Sequence, residues 1–272
     1  MANWQSGDVS TNGIRMHYTR TGGDKPPFVL AHGFSDDGLC WTPVATALEH
    51  EYDVIMLDAR GHGLSEGPEE GYGPVDQAED LAGAIRALGL ERPAILGHSM
   101  GALTALVLSG LYPDLPGSVL LEDPPPVWNE APPTKDQISE NTNRMVEWIT
   151  SLRTKTREEL IEHQRAQEPH WSDAELGPWA DSKLRFNFNA TTFRSSRTFD
   201  QSIINNITAP TLLITADPER GAIVTPQKTE ELKALIPHLR VAHIPNAGHN
   251  IRRDQFDAYL EVVRNFLKET YR

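Results

Sequence analysis

The chain has 272 residues, a formal net charge of −13 and a pI near 5.2. This length is enough for one large α/β domain with an inserted segment. The acidic balance argues against nucleic acid or an anionic membrane surface as a partner.

Other bulk features point to a cytoplasmic protein. The start of the chain, residues 1–5, has neither the basic nor the apolar region of a signal peptide, and no apolar stretch approaches the length of a membrane span. The one cysteine, Cys40, cannot form an internal disulfide and fits a reducing compartment. We expect a monomer or homodimer that acts on a small molecule, with no nucleic-acid or membrane partner.

Short apolar runs alternate with helical patterns along most of the chain. The runs that indicate buried strands lie at 28–31, 54–57, 93–96, 118–121, 210–214 and 239–244. Apolar residues at spacings of three and four indicate amphipathic helices at 75–88 and 256–267. The alternation predicts a mostly parallel sheet covered by helices on both faces. The active site should lie at the carboxyl ends of the strands.

The segment 124–205 breaks this pattern. It has no convincing strand, yet it carries four of the six tryptophans. Capping-box patterns at Thr156 and Ser172 mark two helix starts. We expect 124–205 to form a helical lid over the strand ends, and residues 1–123 and 206–272 to form the core.

Ser99 is the most informative residue of the chain. It is the central residue of Gly97–Gly101, a segment that lies directly after the run 93–96 and directly before the helix-forming run 102–106. A serine at such a strand-to-helix turn is typical of a nucleophile elbow. Glycine two residues away on either side lets the strand and the helix approach closely. Because a serine hydroxyl is a poor nucleophile, a base and an acid are needed elsewhere.

His249 is the predicted base. It follows the last predicted strand and precedes the final helix. From that loop an imidazole can reach over the sheet edge and take the proton of Ser99.

The acid that orients His249 should follow a strand between the serine and the histidine. Asp217 follows the strand indicated by the run 210–214 and is the first choice on this placement, and the order Ser99, Asp217, His249 is the one that the architecture requires. Glu219 lies two residues further along. Glu122 and Asp123, which end the preceding strand, are also possible.

The predicted oxyanion hole consists of the backbone N–H groups of Met100 and Phe34. Met100 follows the nucleophile, and Phe34 lies in the turn after the first central strand. We expect Gly33 to keep this turn open, because a side chain there would obstruct the substrate. The aromatic residues that could line the substrate pocket are Trp128, Trp148, Phe186 and Phe188.

No cofactor or metal is predicted. His163 and His170 are not at metal-ligand spacing with any partner. No Gly-x-Gly-x-x-Gly follows a strand, which argues against a dinucleotide site.

Over nearly its whole length the chain resembles the α/β-hydrolase family. The resemblance rests on the turn 32–34, the segment 58–65, the elbow at 97–101, Asp217 and His249, which fall in the family's order. It implies an eight-stranded, mostly parallel sheet with a helical cap after strand 6, and metal-independent hydrolysis through an acyl-enzyme. The serine argues against epoxide hydrolases and haloalkane dehalogenases, which place an aspartate at the elbow.

These features predict a serine hydrolase that cleaves a small or medium carboxylic ester. A lactonase would use the same groups, and only the shape of the pocket separates the two. Hydrolysis of a carbon–carbon bond is less favoured, since Ala102 stands where many such relatives carry glycine. A non-catalytic ligand receptor on the same fold is the alternative from another class.

Overall fold

An eight-stranded sheet forms the centre of the computed structural model, which describes residues 4–131, 133–195 and 199–271. Residues 1–3, part of the segment inspected for a signal peptide, lie outside that description. The strands are β1 (Gln5–Thr11), β2 (Ile14–Arg20), β3 (Pro27–Ala31), β4 (Asp53–Leu57), β5 (Ala94–His98), β6 (Ser118–Glu122), β7 (Thr211–Thr215) and β8 (Arg240–His243).

The strands lie side by side in the order β1-β2-β4-β3-β5-β6-β7-β8. β2 runs opposite to the other seven described strands, so its pairs with β1 and β4 are antiparallel, and the pairs from β4 to β8 are all parallel. The mostly parallel sheet of eight strands is therefore confirmed. The strand β5, which leads to Ser99, lies between β3 and β6 at the middle of the sheet.

Helices cover both faces of this sheet. The described α-helices are α1 (Thr42–Leu48), α2 (Pro74–Ala87), α3 (Met100–Leu111), α4 (Lys135–Arg153), α5 (Arg157–Gln167), α6 (Asp173–Arg185), α7 (Pro226–Leu235), α8 (Ile251–Asp254) and α9 (Phe256–Thr270). One core packs α2, α3 and α7 against the strands, and the other packs α1 and α9. In β3, for example, Val29 faces the first core, and Phe28 and Leu30 face the second. This alternation explains why the central strands are apolar on both sides.

Between β6 and β7 lie α4, α5 and α6, which we call the helical insertion. They share an apolar cluster made of Leu152, Leu160, Trp171, Leu176, Trp179 and Ala180. The predicted capping box at Thr156 is present at the start of α5. The second predicted start is also correct, since α6 begins at Asp173, but the Ser172 side chain makes no capping hydrogen bond.

Buried ion pairs join the helical insertion to the rest of the molecule. They are Lys183–Asp36 at 3.0 Å and Glu175–Arg253 at 3.1 Å, and Arg185 adds a 3.1 Å hydrogen bond to Asp37. These contacts hold α6 over the carboxyl ends of the strands. Across the ranges that the structure describes, no helix is both long and apolar enough to span a bilayer.

Candidate active site

The turn between β5 and α3 places Ser99 in an unusual backbone conformation, with φ 51° and ψ −112°. Such strain in a non-glycine residue persists only where the surroundings enforce it. A Cβ atom on Gly97 would lie 2.2 Å from the carbonyl oxygen of Gly101, and one on Gly101 would lie 2.2 Å from that of Ala31. Both glycines are therefore required for the close approach of strand and helix that the elbow needs.

Ser99, His249 and Asp123 form a hydrogen-bonded line. The Ser99 Oγ lies 3.0 Å from Nε2 of His249, and Nδ1 of the same ring lies 2.6 Å from Oδ2 of Asp123. Asp123 is fully buried and also accepts hydrogen bonds of 2.9 Å from the backbone N–H groups of Ile223 and Val224. The carboxylate is thus fixed on one side by the loop after β7 and faces the imidazole on the other.

The carboxylate that contacts His249 is Asp123, and this corrects the choice of Asp217. The Asp217 carboxylate lies 3.0 Å from Nε2 of His243 and accepts a 2.8 Å hydrogen bond from the Asn246 N–H. The physical reason is the strand order, because β6 adjoins β5 in the sheet whereas β7 lies one strand farther from the elbow. A carboxylate that directly follows β6 therefore starts closer to the imidazole.

The other two candidate acids have different surroundings. Glu122, the last residue of β6, accepts hydrogen bonds from the backbone N–H of Arg252 at 3.1 Å and from the Tyr259 hydroxyl at 3.0 Å. It is fully buried, and burial raises its pKa. Glu219 lies in an exposed turn at 218–220. We assign neither of them to His249.

The predicted oxyanion turn lies against the start of α3. The Gly101 N–H donates a 3.1 Å hydrogen bond to the carbonyl oxygen of His32, which draws the turn onto the elbow. Met100 is the first residue of α3, so its N–H has no acceptor within the helix. A Cβ atom on Gly33 would lie 2.6 Å from Nδ1 of His98 and 3.4 Å from Cβ of Ser99, so this glycine leaves room for the His98 ring beside the nucleophile.

A cavity of about 400 Å³ opens over Ser99 and His249. One wall comes from the helical insertion and includes Trp148, Trp171, Trp179 and Lys183. The prediction of Trp148 as a pocket residue agrees with this arrangement. The tryptophans at 171 and 179 were not predicted, since nothing in their local pattern distinguishes a cavity wall from packing between helices.

The other three predicted pocket residues do not line this cavity. Trp128 is buried in the core and donates a 3.0 Å hydrogen bond to the carbonyl oxygen of Lys228. Phe186 packs edge-on against Phe34, with ring centroids 5.2 Å apart, and so lies behind the oxyanion turn. Phe188 is partly exposed and is covered by the guanidinium of Arg153.

Charged side chains form part of the cavity wall. Asp36 accepts from Lys183 at 3.0 Å, from Arg253 at 3.0 Å and from Arg252 at 3.3 Å. Burial alone would raise the pKa of Asp36, but Arg253, Lys183 and Arg252 hold it well below its usual value. Lys183, Arg253 and Asp36 all line the cavity, so the charges at this wall are paired with one another.

Within the described ranges, no group of three or more His, Cys, Asp or Glu side chains is arranged to hold a metal ion. His170 forms a 2.9 Å contact with Asp254. Cys40 is buried, and burial raises the pKa of its thiol, so the thiolate is disfavoured.

Comparison with known proteins agrees with this architecture. A family model described as the alpha/beta hydrolase fold matches residues 26–252. The chain is 33% identical over 267 residues to an N-formylmaleamate deformylase of Pseudomonas putida KT2440, covering 96% of each. It is 28% identical over 259 residues to an esterase of Mycobacterium tuberculosis H37Rv, covering 91% of this chain and 85% of the esterase. The crystal structure of an N-formylmaleamic acid deformylase from Pseudomonas putida S16 superposes with a TM-score of 0.78 at 26% identity, covering 95% of this chain and 100% of the other.

Proposed function

The chain belongs to the α/β-hydrolase family, and from this premise we propose that it is a serine hydrolase that cleaves a small carboxylic ester through an acyl-enzyme. The observation that carries the proposal is the hydrogen-bonded line from Ser99 through His249 to Asp123 at the floor of the cavity. An activated serine beside an enclosed volume has the two features that acyl transfer needs.

In the first half of the reaction, Ser99 Oγ attacks the ester carbonyl carbon while Nε2 of His249 takes the hydroxyl proton. Asp123 accepts a hydrogen bond from Nδ1–H and stabilises the imidazolium that forms. The N–H groups of Met100 and Phe34 are proposed to bind the oxyanion. His249 then gives its proton to the leaving alcohol, and the acyl group remains on Ser99.

In the second half, water attacks the acyl carbon as His249 takes one of its protons. The tetrahedral intermediate collapses, the bond to Ser99 Oγ breaks, and the proton returns to that oxygen. The acid product leaves with the second oxygen supplied by water. We propose that the helical insertion acts as the lid of this site, since its tryptophans enclose the reacting groups and limit the substrate to the cavity volume.

Hydrolysis of an activated amide is a second candidate. It is favoured by the 33% identity to a deformylase whose name gives N-formylmaleamate as its substrate. The same groups suffice, because His249 can protonate a leaving nitrogen as readily as a leaving oxygen. Lys183 and Arg253 lie in the cavity wall, but both are already paired with Asp36, so the support for this candidate is the identity to the deformylase.

Acid release should be measured by pH-stat from short and medium esters, lactones, a diketone and N-formylmaleamate, with the parent protein and Ser99→Ala. The proposal expects ester hydrolysis by the parent and its loss in the variant. Faster hydrolysis of the amide than of the esters would favour the amide hydrolase. Faster hydrolysis of a lactone or of the diketone would favour a lactonase or a carbon–carbon bond hydrolase. Activity that survives Ser99→Ala would refute the nucleophile. No turnover, together with thermal stabilisation by a ligand, would favour a receptor.

A further inference from the structure

His98, the residue before Ser99, uses one ring nitrogen to hold the backbone of His249. Its Nε2 lies 2.9 Å from the carbonyl oxygen of His249. Because a carbonyl only accepts, Nε2 carries the proton, and Nδ1 is left with a lone pair. Since His98 is only 3% exposed, this hydrogen bond is largely shielded from bulk water.

The surroundings of His98 keep its ring neutral. Burial is the largest cause, followed by the positive charge of Arg252 and the proximity of His249, and together they hold the pKa of His98 well below its usual value. A protonated ring here would oppose the imidazolium that His249 must form. The neutral tautomer supplies a donor without that penalty.

The His98 ring lies against two loops of the site. Nδ1 has no hydrogen-bond partner in the part of the chain that the structure describes, and it faces Gly33 of the oxyanion turn. The ring centroid lies 4.8 Å from that of His249. His98 itself is anchored in β5, whereas His249 lies in the loop between β8 and α8 and depends on contacts from elsewhere for its position.

We propose that His98 is a positioning residue for the hydrolytic reaction. Its Nε2–H fixes the carbonyl of His249 relative to the nucleophile elbow, while Asp123 fixes the imidazole from the other side. The two contacts together set the distance from Nε2 of His249 to Ser99 Oγ. This inference rests on the proposed function, because His98 acts only through the base.

Two variants separate the donor from the ring. His98→Phe keeps an aromatic ring and removes the donor, whereas His98→Gln keeps an N–H donor near the position of Nε2 and removes the ring. The measurements are kcat and KM on the best ester and the rate at which a fluorophosphonate labels Ser99. Labelling requires an activated serine but no natural substrate.

For His98→Phe we expect kcat and the labelling rate to fall about 10- to 100-fold with KM within about two-fold, since a catalytic group misplaced by about 1 Å costs that much. His98→Gln should recover to within about five-fold of the parent because the donor is restored. A ring needed only for packing would give the reverse order of the two variants. Labelling of His98→Phe at the parent rate would overturn the proposal.

A third measurement decides the matter if His98→Phe does not fold. In the parent protein, ¹⁵N NMR of the histidine side chains should show His98 as the neutral Nε2–H tautomer from mildly acidic to mildly alkaline pH. Its ring proton should exchange slowly. An Nδ1–H tautomer, or titration near the usual pKa of histidine, would overturn the assignment. A different result would refute the proposed ester hydrolysis. In that case the parent protein would be labelled at Ser99 but would cleave no ester.

Discussion

The orientation of His249 depends on a carboxylate that has little freedom of its own. Asp123 is fully buried, and its two oxygens accept from the backbone N–H groups of Ile223 and Val224 as well as from His249. Hydrogen bonds to a charged acceptor are shorter and stronger than neutral ones, which suits the 2.6 Å contact to Nδ1. The loop after β7 thus donates hydrogen bonds to the carboxylate that contacts His249, but it does not supply that carboxylate.

Asp123→Asn should lower kcat/KM about 10³- to 10⁴-fold, because an amide in this place favours the wrong tautomer of the imidazole. Asp217→Asn is the matched control and should stay within about three-fold, since its side chain contacts His243 and Asn246 instead. Both values follow from initial rates on the best ester. A larger loss of kcat/KM in the Asp217 variant than in the Asp123 variant would mean that Asp217 is the acid that orients His249.

Ser99 and His249 could be predicted because each depends on local sequence. The elbow needs glycine on both sides of the serine, and the histidine follows the last strand, so both signals lie within a few residues. The acid could not be chosen in this way. Asp123 and Asp217 each follow an apolar run, and the choice depends on which strand lies beside β5, which is a property of the assembled sheet.

At the scale of elements, the strands that are buried on both faces could be predicted from the sequence. The antiparallel pair β1 and β2 could not. Each strand from β3 to β7 contains a short apolar run. The sequence of β1 does not indicate a strand because Val9 is its one large apolar residue, and β2 lacks an apolar run because its apolar residues alternate with polar ones. Val9 and Met16 pack against the first core. The helical insertion was expected as helices, but of the three tryptophans in its cavity wall only Trp148 was predicted, because inward and outward tryptophans look alike in sequence.

Lys183 is expected to hold the helical insertion on the core. Its ammonium donates to the carbonyl oxygen of Ser35 at 2.8 Å and to Asp36 at 3.0 Å, and it is almost fully buried. Lys183→Met keeps the stem and removes these donors, and the loss of one partner of a buried ion pair should lower the free energy of unfolding by about 2–4 kcal/mol. Two arginines still face Asp36, which keeps the loss below that of an isolated pair.

Urea unfolding of Lys183→Met checks this expectation. Arg165→Met is the matched control from the same insertion, since the pair Arg165–Asp173 is largely exposed and should contribute little. Equal destabilisation by the two variants would mean that Lys183 does not anchor the insertion.

At the scale of the whole molecule, chain order and spatial order diverge. The chain runs through β3 before β4, yet β4 lies between β2 and β3 in the sheet, and this crossover places β3 directly beside β5. The oxyanion turn after β3 and the elbow after β5 are neighbours for that reason. The alternation of strands and helices in the sequence was enough to predict that the site lies at the carboxyl ends of the strands. It was not enough to predict which strands lie side by side in the sheet.

The last prediction concerns how the stability of the whole molecule depends on pH. Asp37 is buried, and burial together with the nearby charge of Asp58 raises its pKa from 3.8 to about 7. The folded protein therefore keeps a proton on Asp37 at pH values where the unfolded chain has lost it. This contribution to stability is complete below about pH 4 and is lost as the pH rises through about 7.

Asp37→Asn should remove this dependence while keeping an oxygen that can accept the Leu39 N–H, as Asp37 does at 3.1 Å. As the pH rises from about 5.5 to 7, the parent should lose about 1.4 kcal/mol of unfolding free energy per pH unit through Asp37, and the variant should not. Over this interval the variant should therefore gain about 2 kcal/mol relative to the parent. Urea unfolding at both pH values measures the change. The exposed Asp24→Asn should show a constant difference over the same interval. If the unfolding free energies of Asp37→Asn and the parent change equally with pH, the prediction is wrong. Asp37 would then already be ionised in the folded state, and its contact with Arg185 would outweigh the burial that opposes its charge.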